Sequence, residues 1–250
     1  MLLLGLGQAS HAQIFMDITS LTSGGTGVGA FSGTLGAATV TGSILSSNYA
    51  NSFTFNPTSS GTLGAWELSN TGGTSPQFSY STIYATAKNN VDTLGYTLFN
   101  NNPVGTNNTA RMKINFSIPI KDLVINVANL DNSIWDFTAS GGVTSLTLLK
   151  GNGGGGDGLG ISGKTIIDLA TGDAGIAPST TPTTSGTRSG YGSVMINGTY
   201  SSLTIDLTAT HSLGGDGGNF TFTLVPEPTS LGLLLPGAAG LLLLRRRRKN

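Results

Sequence analysis

The chain contains no cysteine, which removes disulfides, zinc–thiolate centres and cysteine nucleophiles. It is also poor in charge: Lys, Arg, Asp and Glu make up 10% of its 250 residues, against 38 glycines. Solubility must therefore rest on Ser, Thr and Asn, a composition that suits strands and turns better than helix interiors. His11 and His211 are the two histidines, and Glu67 and Glu227 the two glutamates. That inventory is thin for general acid–base work. The formal net charge of zero averages two unlike regions, because five of the twelve basic residues form the run Arg245 to Lys249. Between Gln13 and Val225, seven basic residues stand against eleven acidic ones, a net −4. A mildly acidic body with scattered Lys and Arg excludes binding along a phosphate backbone, so nucleic acid is not an expected partner.

What is present is period-two patterning. Phe78–Tyr84 (FSYSTIY), Met112–Ile118 (MKINFSI), Leu123–Val127 (LVINV), Leu203–Leu207 (LTIDL) and Phe220–Leu224 (FTFTL) alternate apolar and polar residues rich in β-branched and aromatic types. No window of 11 or more body residues keeps a helical stripe. Residues 13–225 are therefore expected to form an all-β domain, an antiparallel β-sandwich of jelly-roll-like type. Two segments read as hairpins, Arg111–Asn129 turning at Pro119 and Val194–Thr210 turning at Tyr200-Ser201. Ala177–Ser185 (APSTTPTTS) reads as a long exposed loop.

The two ends differ from the body. Met1–Leu6 is apolar, and Ser10-His11-Ala12 places small residues where a signal peptidase inspects them, so residues 1–12 read as a signal peptide cleaved between Ala12 and Gln13. The run lacks a basic n-region, and the true start codon is expected upstream. At the other end, Pro226-Glu227-Pro228 stops the last strand, since proline donates no ladder hydrogen bond. Thr229–Leu244 follows with no charge in sixteen residues. As a helix it would span about 24 Å at 1.5 Å per residue, short of the ~30 Å hydrocarbon core. Arg245, Arg246, Arg247 and Arg248 close the chain as a membrane stop, held on the cytoplasmic side by the positive-inside rule.

Residues 226–250, in that order and spacing, resemble the PEP-CTERM sorting signal recognised by exosortases, transpeptidase-like membrane enzymes of Gram-negative bacteria that make extracellular polysaccharide. The resemblance implies a short transmembrane helix, transient anchoring in the inner membrane, exosortase as partner, and delivery to the cell surface or extracellular matrix. A second, looser resemblance lies in Asn129–Phe137 (NLDNSIWDF), similar to a segment of exported β-sandwich proteins in which a strand ends in an Asp-rich turn carrying a Trp.

Several motifs compete for a chemical reading. Gly158–Thr165 (GLGISGKT) matches a phosphate loop literally, but a Gly-rich run precedes it and Ile166–Leu169 looks like a strand, where a true phosphate loop has a buried strand before and a helix after. It reads as a turn. Asn152–Gly160 (NGGGGDGLG) is one partial calcium nonapeptide, a motif that binds only in stacked copies. Asp131, Asp136 and Asp216 on loops offer the hard oxygens that a Ca²⁺ site needs, or serve turns by bonding their own backbone. Trp135 and Trp66 are candidates for core or for sugar stacking. No G-x-S-x-G elbow nominates a nucleophile, and His211 reads as a polar loop residue. The leading expectation is a non-enzymatic surface or matrix protein, associated with exopolysaccharide. Two alternatives stay open: a calcium-dependent, lectin-like carbohydrate-binding module, and an exported hydrolase.

Overall fold

The computed structural model of the chain describes residues 13–22, 29–47, 53–57, 66–69, 77–79, 88–99, 108–131, 133–151, 159–168, 190–209 and 215–224. These residues contain strands and turns and no helix. In chain order the strands are β1 (Ile14–Phe15), β2 (Asp17–Thr22), β3 (Ala30–Leu35), β4 (Ala38–Ser47), β5 (Phe53–Pro57), β6 (Trp66–Ser69), β7 (Gln77–Ser79) and β8 (Lys88–Val91). They continue as β9 (Leu94–Phe99), β10 (Asn108–Asp131), β11 (Ser133–Asp136), β12 (Val143–Gly151), β13 (Leu159–Ser162), β14 (Thr165–Asp168), β15 (Gly190–Ala209) and β16 (Gly215–Leu224). Among the described residues, thirteen strands join in one antiparallel sheet; β6, β7 and β8 form a second, in which β6 and β7 run parallel.

The large sheet is organised by two long strands. β10 has 24 residues and β15 has 20, and they pair antiparallel from Asn108↔Ala209 to Leu130↔Gly190. One wing, in the order β2–β3–β4–β10–β15–β11–β14–β13, uses the first half of β10 and the second half of β15. The other, β12–β15–β10–β16–β9–β5, uses the remaining halves, with β1 beside the end of β16. Both wings feed one core. Trp135 of β11 stands edge-on to Phe220 of β16 at 5.8 Å, and Phe116 meets Tyr200 and Phe222 at 6.3 Å each. Each such buried aromatic contributes on the order of 2–3 kcal/mol by leaving water. The close fit of the wings shows at Gly218, where a Cβ would come within 2.9 Å of Trp135 Cζ2.

The expected hairpins at Pro119 and Tyr200-Ser201 are not hairpins. Each segment is one continuous strand that bends there. Pairing between β10 and β15 slips between Asn115 and Ile120 and again between Lys121 and Leu123. Ser117, Ile118 and Pro119 are exposed along that stretch, and Asp122 takes a left-handed φ of 50°. Pro119 withholds a ladder donor, which suits a bulge as well as a turn. Tyr200 repairs the slip: its buried hydroxyl donates to the Ile196 carbonyl at 3.0 Å and accepts from the Leu123 amide at 3.3 Å. Burial pushes this phenol well above its ordinary pKa, so it remains a donor.

The second wing is buried on both faces of β10. Leu123, Ile125 and Val127 enter the common core, while Val124, Asn126 and Ala128, on the alternate positions, have no exposed area either. Asn126 satisfies its amide there: Ser193 Oγ donates to Asn126 Oδ1 at 2.6 Å, and Asn126 Nδ2 donates to Thr223 Oγ1 at 2.9 Å. The β7 backbone runs close to β10 and β15. Of the expected strands, Met112–Ile118, Leu123–Val127, Leu203–Leu207 and Phe220–Leu224 are observed; β7 covers Gln77–Ser79, and residues 80–84 lie outside the described residues.

Replacing Tyr200 with Phe is expected to cost about 1–3 kcal/mol, because the buried Leu123 amide loses its acceptor. Urea denaturation of the variant should show a lower midpoint at an unchanged slope.

Candidate functional site

On the first wing, inward positions are apolar and outward ones carry hydroxyls and amides. Ser20, Ser32, Thr41, Asn115 and Ser202 stand in one row across five strands. Thr22, Ala30, Ser43, Lys113 and Thr204 form the next. All ten are exposed or half-buried. Neighbouring hydroxyls bond one another, as Ser20 Oγ and Ser32 Oγ do at 2.6 Å. The strand pleat dictates this, since alternate residues share a face.

A further row carries an ion pair. Ser46, Arg111, Asp206, Asp136, Thr165 and Ser162 lie opposite one another across six strands. Arg111 Nε donates to Asp206 Oδ1 at 2.6 Å and Nη2 to Oδ2 at 2.7 Å, a bidentate pair in the open. Asp136 is engaged locally: its Oδ1 accepts from the Thr138 amide at 2.7 Å. This is the turn-bonding role that a short acidic side chain takes beside its own backbone.

A second acidic grouping joins β2 to the link between β8 and β9. Asp92 Oδ2 accepts from the Ile18 amide at 2.7 Å across 74 positions of sequence. Partial burial raises the Asp92 pKa, and the neighbouring Asp17 carboxyl adds to the rise, while the Ile18 amide opposes it.

Asp131 ends β10 and Asp216 lies in β16; Asp131 pairs with Gly217, so the two acids occupy adjacent strands one position out of register. Asp136 stands elsewhere, opposite Asp206. Among the described residues, no three His, Asp or Glu side chains gather into a group able to hold a metal ion. Trp135 is 1% exposed and belongs to the core, so it offers no stacking face. The phosphate-loop lookalike is a β-hairpin: β13 and β14 pair antiparallel about Gly163-Lys164, Gly163 takes φ 60°, and Lys164 Nζ donates to the Val143 carbonyl at 2.6 Å. Residues 1–12 with Ala12, the segments 152–158 and 177–185, His211, and residues 225–250 with Pro226, Glu227, Pro228 and Arg245–Arg248 lie outside the described residues. Among the described residues, no helix is long and apolar enough to cross a membrane.

Sequence reasoning missed both the Arg111–Asp206 pair and the Asp17–Asp92 contact. The outward alternation of Arg111, Lys113 and Asn115 was available as a signal, but nothing local names a partner 95 residues away.

Because the Asp92 pKa is raised in the folded state, the native protein holds its proton to higher pH than the unfolded chain does. Stability should therefore fall as pH rises from the ordinary carboxylate range through the folded pKa. Asp92→Asn keeps an acceptor for Ile18 and removes the charge. Its melting temperature at pH 7 is expected to exceed the wild type's, and the decline with pH to flatten. No family model matches the chain, and no curated protein or solved structure is significantly similar to it.

Proposed function

We propose that this is an exported, non-enzymatic protein of the cell surface or extracellular matrix of a Gram-negative bacterium, sorted by exosortase and associated with extracellular polysaccharide. In this reading residues 13–225 are a β-sandwich, the fold-over being made by the bends of β10 and β15. Residues 226–250 are a removable sorting signal whose short helix anchors the chain transiently in the inner membrane. The observation that carries the proposal is the tail: Pro226-Glu227-Pro228, then an uncharged run of sixteen residues, then four arginines. The end of β16 at Leu224 supports it, because the motif then begins two residues beyond the last strand among the described residues. The rows of Ser, Thr and Asn on the first wing support the polysaccharide half. They offer many hydrogen bonds and little net charge, which matches a polyhydroxylated, uncharged polymer.

Substituting Pro226, Glu227 and Pro228 together by Ala should leave a full-length form in the membrane fraction, while the melting temperature of the body is unchanged. Deleting the exosortase should give the same retention. Release of the triple variant at the wild-type rate would show that the tail is a plain anchor.

A further inference from the structure

Both ends of the body leave from one place. β1 pairs with the end of β16 through Ile14↔Leu224 and Phe15↔Thr223, and the Met16 amide donates to the Phe222 carbonyl at 2.9 Å. The tip of the β3–β4 hairpin touches this rung: a Cβ built on Gly36 would lie 3.5 Å from both Ile14 Cδ1 and Leu224 Cδ1. The bend of β10 runs alongside the same tip, for Phe116 pairs with Val40 and the Thr39 amide donates to Ser117 Oγ at 2.9 Å. Two exposed isoleucines therefore mark one end of the body, Ile14 at 38% and Ile118 at 45% exposure. Charged groups at or near this end are Lys121, Asp122, Asp17 and Asp92.

Four residues, Val225 to Pro228, separate Leu224 from the uncharged run that begins at Thr229. Fully extended, four residues reach at most about 14 Å. From this short tether we infer that the end bearing Ile14, Gly36, Ile118 and Leu224 is a membrane-facing surface, held against the bilayer while the tail is anchored. The occupant is the lipid surface itself. The inference rests on the proposed anchoring by residues 229–244 and adds the orientation of the body. In that orientation the charged row at Arg111 and Asp206 points away from the membrane, since Arg111 lies six residues back along β10 from Ser117, about 20 Å at ~3.3 Å per residue. The polar rows are thereby left free for a polymer outside.

The absence of cysteine makes single-site labelling direct. Ala37→Cys at the exposed hairpin tip, Ile118→Cys at the bend and Thr109→Cys at the far end of β10 are each made in the full chain and tagged with a fluorophore. Each is then mixed with phosphatidylcholine vesicles carrying a headgroup-attached spin-label quencher. Quenching several-fold stronger at positions 37 and 118 than at 109 is the expected result. Equal quenching at the three positions on vesicle-bound protein overturns the membrane-facing surface while tail anchoring stands. Failure of the chain to float with the vesicles overturns both.

Discussion

The pairing of β10 with β15 is the constraint on which the other strands depend. Each supplies an edge to both wings: β4 and β16 dock on β10, β11 and β12 on β15. The residues joined are distant in the chain, as the 95 positions between Arg111 and Asp206 show. Closing so long a loop costs entropy before neighbouring strands can add. The compensation is apolar: Met112 against Ile205, Ile114 against Leu203 and Ile125 against Val194 are all registered, buried pairs. The bend then decides the architecture. The slip around Pro119 falls where β10 passes from one wing to the other, and beside it Phe116 meets Phe222 at 6.3 Å.

Polarity in this protein is handled by hydroxyls and amides more than by ions. Asn126 is held at zero exposure by Ser193 and Thr223, and a buried amide so bonded adds specificity at little net cost. Thr221 Oγ1, also buried, has no hydrogen-bond partner among the described residues. Leaving such a group unpaired costs roughly 1–3 kcal/mol. On the outside, Arg111 and Asp206 pair at the surface, where screening leaves them a minor part in stability. Their consequence is to keep the polar face close to neutral.

Much of the strand inventory was legible, because period-two alternation reports which residues share a face whatever the partner. Met112–Ile118 and Phe220–Leu224 alternate cleanly and are strands. What alternation cannot report is pairing. Pro119 signals a lost donor, and a turn and a bulge lose the same donor, so the two halves of β10 read as a hairpin. The turn at Gly163-Lys164 was legible from its glycines and from the β-branched run after it. Trp135 was ambiguous because one aromatic in an Asp-rich segment suits a surface as well as a core, and Phe220, which decides the matter, lies 85 residues on. The polar rows were half-visible: each strand's outward set can be read alone, but their alignment into one face needs the register.

Strand β1 closes against the end of β16 through the Ile14–Leu224 rung, and the proposed sorting would remove the chain on either side of that body. The proposed sorting is tested most directly by intact-mass and terminal-peptide mass spectrometry of the protein recovered from the surface of the native cell. The prediction is a chain that begins at Gln13 and lacks Arg245–Lys249 together with most of the Leu-rich run. A recovered surface protein that still carries the full tail would contradict it.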